Sequence, residues 1–306
     1  MLVSVIIPMY NEEANAQDTL KRVDDVLINL KQDYEIVVVD DGSVDNTARL
    51  AEEAAKNNRR IAIAYHKTNR GLGEALRTGF GKSKGDVIVT IDADLSYAPE
   101  NIPKLIAELE DADIAVGSPY MKEGKVEGIP CFRLMLSKIG NKIVASAMST
   151  KIHTVTSMFR AYKKEVIESM FLESSGPEIM PEIISKASAI GFKIKEIPVV
   201  LKARMRGKSK FKLFSGLEKH LMLSLYEKPA ALMALFGTLS MIAGVIMEMY
   251  LGYLYLHGAL EPTRPLMTIA PLLIISGIQL LFFGIVASEI VQIKKEVYRI
   301  QARKKE

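Results

Sequence analysis

The chain has 306 residues, of which 49% are hydrophobic and 25% are charged, and its mean hydropathy is +0.14. This composition excludes a disordered or fibrous chain and is more apolar than a purely soluble domain needs, so part of the apolar surface is expected to face lipid. One cysteine and four scattered histidines exclude an internal disulfide and disfavour a structural zinc site, and a net charge of +4 is too small to indicate nucleic-acid binding.

About the first 200 residues alternate short Val/Ile-rich runs with amphipathic stretches. The runs predict strands at Val3–Pro8, Tyr34–Asp40, Ile61–His66, Asp86–Asp92 and Asp113–Gly117. The amphipathic stretches predict helices at Glu12–Leu30, Asn46–Asn57, Gly73–Gly81, Pro99–Glu110 and Arg133–Ala147. This alternation is typical of an α/β domain with a mostly parallel sheet, in which ligands bind beyond the carboxyl ends of the strands.

Two polar clusters follow the first two predicted strands, where a ligand is expected. The first combines a proline, an aromatic ring, an amide and a carboxylate, which together can hold a base and a ribose. The second has adjacent carboxylates that could accept hydrogen bonds from a uracil or guanine edge and from ribose hydroxyls. The candidate nucleotide-binding residues of the two clusters are Pro8, Tyr10, Asn11, Glu12, Asp40 and Asp41. Either cluster alone is also typical of turn and helix-cap chemistry.

A third cluster, Asp92-Ala-Asp94, ends the apolar strand that begins near Gly85. Two carboxylates at this spacing present hard oxygen ligands to one Mg²⁺ or Mn²⁺, which would keep its other positions for water and a substrate diphosphate. An isolated Asp-x-Asp is more often a solvated turn. Its place at the predicted ligand edge, together with the two earlier clusters, favours the metal site.

These motifs resemble those of glycosyltransferase family 2, the inverting nucleotide-sugar transferases with a Rossmann-like GT-A fold. The matching segments are Val5-Ile-Ile-Pro-Met-Tyr-Asn-Glu12, Val38-Val-Asp-Asp-Gly-Ser43, Asn69-Arg-Gly-Leu-Gly73 and Asp92-Ala-Asp94. The resemblance covers about the first 200 residues. It implies that Pro8, Tyr10, Glu12, Val39 and Asp41 surround the nucleoside, while Asp92 and Asp94 carry the metal on the diphosphate.

Further segments resemble the dolichyl- and polyprenyl-phosphate sugar synthases of that family, which join such a domain to membrane spans. They are Gly117–Tyr120, Phe132–Lys138, Ser157–Val166 and Arg204–Lys210. By this resemblance Arg133, Ser137 and Arg206 contact the lipid phosphate, and Ser96 lies near the metal. The chain departs from the group at Pro119, where Arg is common, and at Thr154–Met158, where the group has Asp-x-x-Ser-Gly. One phosphate ligand is therefore expected to be missing or replaced.

A basic stretch, Lys202–Lys212, leads through the amphipathic segment Leu213–Tyr226 to an apolar region. Guanidinium and ammonium groups suit an anionic lipid head group, by charge and, for Arg, by bidentate hydrogen bonding. Candidate ligands of the acceptor phosphate are Arg133, Ser137, Arg204, Arg206, Lys208 and Lys210. The alternative is a polybasic patch that holds the domain against anionic lipid. The stretch has no aromatic stacking platform, which disfavours nucleic acid as a partner.

Two apolar stretches, Ala230–Leu256 and Leu266–Ser288, are each long enough to cross a bilayer of about 30 Å. Basic residues flank the pair on its outer sides, and the first residues lack the basic leader of a secretory signal. We therefore expect a multi-pass cell-membrane protein with its catalytic domain and both termini in the cytoplasm. The alternative is a buried hairpin of a soluble protein. The small residues of the spans also suit close packing, within one chain or in a homo-oligomer.

The expected organisation has four parts. They are a GT-A domain (1–205), a basic amphipathic juxtamembrane segment (206–228), two transmembrane helices (229–290) and a basic cytoplasmic tail (291–306). Glu248 lies near the outer end of the first span beside several tyrosines, which favours an interfacial position over a functional one.

The leading hypothesis is an enzyme that transfers a hexose from GDP-mannose or UDP-glucose to a polyprenyl phosphate. A phosphate monoester has a second pKa near 6 and is largely a dianion at neutral pH, so no general base is required. Asp92 and Asp94 would position the metal, and Arg133 and Arg206 would aim the lipid phosphate at the anomeric carbon.

Two other hypotheses remain open. If the acceptor is a lipid or saccharide hydroxyl, Glu178 or Glu182 is a candidate base, although both also suit the start of a helix near Pro177. A membrane-anchored module that only binds a nucleotide sugar is the third, and the intact Asp92/Asp94 pair disfavours it.

Overall fold

The computed structural model describes residues 1–130, 152–203, 229–259 and 265–303, together with 132, 134, 135, 137, 138, 141 and 145. These residues divide into two compact units. One contains 1–203 and the end of the last helix from 298, and the other contains 229–297.

The strands among the described residues are β1 (Leu2–Met9), β2 (Asp33–Asp40), β3 (Ile61–Tyr65), β4 (Val87–Thr90), β5 (Ile114–Ser118), β6 (Lys125–Glu127), β7 (Arg160–Lys163), β8 (Ile194–Pro198) and β9 (Val200–Lys202). The helices are α1 (Ala16–Ile28), α2 (Thr47–Asn57), α3 (Leu72–Lys82), α4 (Ile102–Ala107), α5 (Lys164–Glu168), α6 (Ile179–Ile190), α7 (Pro229–Leu256) and α8 (Leu266–Arg303). Short 3₁₀ turns, Pro99–Asn101 and Glu108–Glu110, flank α4. The predicted helix Arg133–Ala147 lies largely outside the described residues.

The strands β1 to β5, β7 and β8 form one sheet in the order β3-β2-β1-β4-β7-β5-β8. Four of its six pairings are parallel, which confirms the predicted α/β class. β7 runs antiparallel to both β4 and β5, so the sheet is mixed. β6 and β9 pair separately. The sequence pattern predicts neither β7 nor β8, because they are only four and five residues long and carry charged side chains among the apolar ones.

The core explains why β1, β2 and β4 read as continuous apolar runs. Helices cover both faces of these parallel strands, so nearly every side chain along them is buried. On one face, α1 presents Leu20, Val23 and Leu27, which repeat at helical spacing and are almost fully buried. On the other face, α3 approaches β1 so closely at Gly79 that an added Cβ would overlap the side chain of Ile6.

The second unit contains α7 and the part of α8 up to Val297. Both helices begin and end close to the predicted spans, except that α8 continues to Arg303. Few residues of their most apolar stretches are buried, 11% in α7 and 17% in α8, whereas the core hairpin of a soluble protein would be mostly buried. A Cβ on Gly237 would lie 2.8 Å from the carbonyl oxygen of Gly277, and the Ser240 hydroxyl donates to the carbonyl of Leu273 at 2.8 Å. Small residues thus let the two helices pack within one chain, and their length and exposed apolar surface indicate membrane anchoring.

The close approach of α3 to β1 gives a test of the packing. We expect Gly79→Ala to destabilise the domain by about 1–3 kcal/mol, because the methyl group must displace Ile6. Gly81→Ala, in the same helix and with open space around its Cβ, is the matched control and should stabilise by up to about 1 kcal/mol. Thermal unfolding followed by circular dichroism measures both. Equal midpoints for the two variants would contradict the described packing.

Candidate active site

The turns after β1 and β2 are joined by hydrogen bonds at the carboxyl edge of the sheet. The N–H of Asn11 donates to the Ser43 hydroxyl at 2.9 Å, and the Asn11 side-chain oxygen accepts from the N–H of Val44 at 2.9 Å. Asn11 has a φ of +49°, a left-handed conformation that asparagine tolerates better than most residues. The two predicted nucleotide-binding clusters are therefore adjacent, although separated by about 30 residues in the chain.

Several residues of these clusters also build the turns. The N–H of Glu12 donates to the Thr47 hydroxyl at 2.7 Å, and the Glu12 carboxylate accepts from the Asn15 side chain at 2.9 Å. Asp40 accepts from both the N–H and the hydroxyl of Ser43 and closes its turn. The turn and helix-cap hydrogen bonds, which the sequence pattern indicates as the alternative interpretation of these clusters, are thus present here.

Other members of the clusters differ in exposure. Pro8 and Tyr10 are partly exposed at this edge, whereas Val39 is fully buried in β2 and presents no side chain to solvent.

The carboxylate of Asp41 is buried and accepts hydrogen bonds from three donors. Its Oδ1 accepts from Nδ1 of His66 at 2.6 Å and from the N–H of Arg70 at 2.9 Å, and its Oδ2 accepts from the N–H of Gly71 at 2.9 Å. The sequence pattern does not single out His66. The available signal is its position directly after β3, the strand that neighbours β2 at the same sheet edge.

The segment Asn69–Gly73 is held between two other parts of the chain. Gly42 has a φ of +72°, and a Cβ there would overlap the backbone of Thr68 and Asn69. Gly71 has a φ of +94°, and the N–H of Gly73 donates to the carbonyl of Ser175 at 2.6 Å. Only glycine permits these approaches, because a side chain would strike backbone atoms.

Asp92 and Asp94 follow β4 at the same edge. The Asp94 carboxylate accepts from the N–H of Ser96 at 3.0 Å, Leu95 has a φ of +56°, and the Thr19 hydroxyl of α1 donates to the carbonyl of Ala93 at 2.6 Å. These contacts fix the turn and leave both carboxylates partly exposed.

The donor set of this turn fits a hard divalent cation. Two carboxylates and the Ser96 hydroxyl are oxygen ligands of the kind that Mg²⁺ and Mn²⁺ prefer. Among the described residues, no group of three or more His, Cys, Asp and Glu could hold a metal without other ligands. Two carboxylates and one hydroxyl would fill only part of an octahedral coordination shell, so a cation here would take its remaining ligands from substrate and water.

Asp92 also lines a cavity of about 190 Å³. Tyr97, Tyr120, Ser137, Thr154 and Met180 are among its other walls. Tyr97 stacks on Phe159, and its burial, with a smaller effect from the charge of Asp92, raises its pKa well above the ordinary value. Its hydroxyl therefore stays protonated at neutral pH.

The cavity brings one predicted acceptor residue together with one predicted metal ligand. The Tyr120 hydroxyl donates to Ser137 Oγ at 2.7 Å, and Ser137 shares the cavity wall with Asp92. Nζ of Lys138 lies 5.9 Å from the centre of the Tyr120 ring and supplies a cation nearby. The other predicted acceptor residues, Arg133, Arg204, Arg206, Lys208 and Lys210, lie outside the described residues.

Thr154, where the sequence departs from the related synthases, is a buried hydroxyl on the cavity wall. It forms a 2.6 Å hydrogen bond with Ser118, and its N–H donates to Glu196 at 2.9 Å. Thr154 and Ser118 thus provide polar atoms without charge at this position.

Glu182, one of the two candidate bases, has structural partners. Its carboxylate bonds Lys186 at 2.6 Å and accepts from the N–H groups of Glu173 and Ser174 at 2.9 Å each. Burial alone would raise the pKa of Glu182, but the hydrogen bonds from Lys186 and from Ser174 outweigh it and lower the pKa. A lowered pKa makes Glu182 a weaker base. Glu178 is the residue before α6 and is partly exposed.

The Glu182–Lys186 pair predicts a pH-dependent stability. The lowered pKa of Glu182 contributes stability above its unfolded value near 4.5, which is lost as pH falls through the folded pKa. We expect Glu182→Gln to destabilise the domain by about 1–3 kcal/mol at pH 7, because the buried Lys186 loses its 2.6 Å carboxylate partner and keeps only the more exposed Glu173 and the carbonyl of Phe171. The difference from the unchanged protein should shrink below pH 4.

The control for this prediction is Glu168→Gln, which removes the exposed i,i+4 pair with Lys164 and should cost less than about 1 kcal/mol. Unfolding midpoints measured across pH 3.5–8 test both variants. A Glu182→Gln effect that does not change with pH would refute the ionic origin.

Solved structures define the fold class. The chain matches the crystal structure of glucosyl-3-phosphoglycerate synthase from Mycobacterium tuberculosis, solved with Mn²⁺, UDP and glucosyl-3-phosphoglycerate, with a TM-score of 0.58 and 18% identity. The match covers 74% of this chain and 79% of that one. The seven-stranded mixed sheet with its ligand edge is thus GT-A-like.

The chain belongs to glycosyl transferase family 2, whose model matches residues 4–171, and it is a glycosyltransferase. It is 41% identical over 216 residues to a dolichol-phosphate mannosyltransferase of Pyrococcus furiosus, a match that covers 69% of this chain and 60% of that protein. It is 32% identical over 301 residues to an undecaprenyl-phosphate 4-deoxy-4-formamido-L-arabinose transferase of Proteus mirabilis, covering 96% of this chain and 90% of that protein.

Proposed function

We propose that this protein transfers a hexose, with inversion, from a nucleotide sugar of the GDP-mannose or UDP-glucose type to a polyprenyl phosphate such as dolichyl phosphate. The observation that carries the proposal is the shared cavity of Asp92 and Ser137, a predicted metal ligand and a predicted acceptor ligand. The names of both relatives support a polyprenyl-phosphate acceptor. The product would be a lipid-phosphate sugar that serves as donor for glycan assembly.

The nucleoside would bind at the joined turns after β1 and β2. Tyr10 is a partly exposed ring that can pack against a base, and Asp41 is a buried acceptor held in one orientation. Pro8, Asn11, Glu12, Val39 and Asp40 would shape the surrounding turn.

The diphosphate would lie at the turn after β4, where Asp92, Asp94 and Ser96 would hold Mg²⁺ or Mn²⁺. A bound divalent cation supplies Lewis-acid stabilisation of the charge that develops on the departing nucleoside diphosphate. The Mn²⁺ and UDP in the structural neighbour support this assignment. Thr19 bonds the carbonyl of Ala93 and the N–H of Ser96 bonds Asp94, and these two hydrogen bonds hold the turn that carries both carboxylates.

The acceptor is its own nucleophile. An oxygen of the dianionic lipid phosphate attacks the anomeric carbon, and the bond from that carbon to the nucleoside diphosphate breaks with its electron pair leaving on the diphosphate. Ser137 and Lys138, which both contact Tyr120, would orient the phosphate, and Arg133, Arg204, Arg206, Lys208 and Lys210 would complete its binding. No described side chain has to remove a proton, which agrees with the structural role of Glu182.

The membrane would hold the enzyme near its lipid acceptor. The two apolar helices α7 and α8 would span it as a hairpin, with the glycosyltransferase domain (1–205), the juxtamembrane segment and both termini on the cytoplasmic side. The basic residues before the first span and after the second support this orientation.

The direct test is a transfer assay on the detergent-solubilised full chain with labelled GDP-mannose or UDP-glucose, polyprenyl phosphate, and Mg²⁺ or Mn²⁺. We expect label to enter a mild-acid-labile lipid. Asp94→Ala should reduce this transfer at least about 100-fold, because the cation loses a ligand. Asp25→Ala, an exposed carboxylate on α1, is the control and should leave it unchanged. Metal-dependent donor binding without a lipid product would overturn the proposed acceptor.

Glu178→Gln separates the proposal from a hydroxyl acceptor. A phosphate acceptor needs no base, so the variant should retain transfer within about threefold across pH 6–8. Loss of transfer with nucleotide-sugar binding retained would instead identify Glu178 as a general base. Transfer rate and donor Kd, measured on the same preparation, distinguish these outcomes.

A further inference from the structure

His66 is a buried imidazole that the mechanism above does not use. Its N–H continues the ladder from β3 by donating to the carbonyl of Asp40 at 2.9 Å. Its side chain is only 5% exposed and lies between Asp41 and Thr78, with Nδ1 2.6 Å from Asp41 Oδ1 and Nε2 2.9 Å from Thr78 Oγ1.

The two partners determine the roles of the ring nitrogens. An ionised carboxylate only accepts, so Nδ1–H donates to Asp41. In the neutral ring Nε2 then accepts from the Thr78 hydroxyl, which is carried by α3. The ring is therefore held at both ends and cannot rotate without losing a buried hydrogen bond.

The hydrogen bonds of Asp41 are distributed unequally over its two oxygens. Among the described residues, Oδ1 accepts from His66 and Arg70, whereas Oδ2 accepts from Gly71 alone. A carboxylate offers about four lone-pair positions, two on each oxygen. Oδ1 is thus saturated, and Oδ2 retains capacity for one more donor.

We propose that His66 is a positioning residue for donor binding. By donating to Oδ1 of Asp41, His66 completes the hydrogen bonding of that oxygen and leaves Oδ2 to accept from an N–H of the nucleobase. This inference rests on the proposed function, because it takes the turn after β2 as the nucleoside site. His66 acts through Asp41 and does not touch the base. Its effect therefore falls on the affinity for the nucleotide and not on the reaction of the lipid phosphate.

The test measures GDP and UDP binding to the full chain in detergent by calorimetry, and the donor KM and kcat by the transfer assay. We expect His66→Leu to weaken binding of the preferred nucleoside diphosphate about 10- to 100-fold and to raise the donor KM similarly. The kcat at saturating donor and the KM for polyprenyl phosphate should stay within about twofold.

Rescue by a conservative variant distinguishes positioning from simple filling of the interior. The side-chain amide of His66→Asn can donate from the place of Nδ1, so this variant should recover most of the nucleotide affinity. His153→Leu removes a second histidine–carboxylate pair, with Glu196, and should leave the nucleotide Kd unchanged. Equal losses for the Leu and Asn variants, with equal falls in the unfolding midpoint, would overturn the positioning role.

Asp41→Asn distinguishes failure of the inference about His66 from failure of the proposed function. Weaker nucleotide binding by Asp41→Asn together with unchanged binding by His66→Leu would overturn the inference about His66 and leave the proposed function intact. Unchanged nucleotide binding by Asp41→Asn would also overturn the inference, because its premise is that Asp41 binds the nucleobase. Absence of a lipid product, with the His66 and Asp41 effects on nucleotide binding present, would overturn the proposed acceptor alone.

Discussion

The buried carboxylate of Asp41 is the interaction on which the ligand edge of this domain depends. Asp41 directly follows β2 and accepts from His66, which follows β3, and from the main chain of Arg70 and Gly71. A buried charge without such donors would cost several kcal/mol, so the three segments are held together by the need to satisfy one group. The turn after β2, the end of β3 and the Asn69–Gly73 segment therefore form one unit.

This unit continues into the region beside the cavity through close main-chain contacts. Gly73 donates to Ser175, and the preceding residues of that segment are anchored by Glu182, whose carboxylate is paired with Lys186 on α6. Glu182, which the sequence offers as a candidate general base, thus has a structural role. It holds the loop that packs against the Asn69–Gly73 segment near the proposed donor site, and its pKa is lowered by the same hydrogen bonds.

The proposed acceptor side differs in chemical character from the proposed donor side. The donor turns are built from charged and amide groups with short hydrogen bonds, whereas the described cavity walls combine hydroxyls, two tyrosines and apolar side chains around Asp92. The uncharged Thr154, which is hydrogen-bonded to Ser118, stands where the sequence departs from the related synthases. The proposed function therefore draws its cationic contacts to a lipid phosphate from Lys138 and from Arg133, Arg204, Arg206, Lys208 and Lys210.

The sequence by itself determined the α/β class, the strands β1 to β3 and β5 within about one residue, the apolar helices α7 and α8, and the three polar clusters. These features follow from local periodicity and from the rule that ligands bind beyond parallel strand ends. Only the tertiary structure decided the antiparallel β7, the partnership of His66 with Asp41 and the structural role of Glu182. The pairing of β7 and the His66–Asp41 contact join residues that are distant in the chain, and Glu182 has two chemically sensible roles. Residue spacing carries no information about which hydrogen-bond partner will be buried beside a given carboxylate.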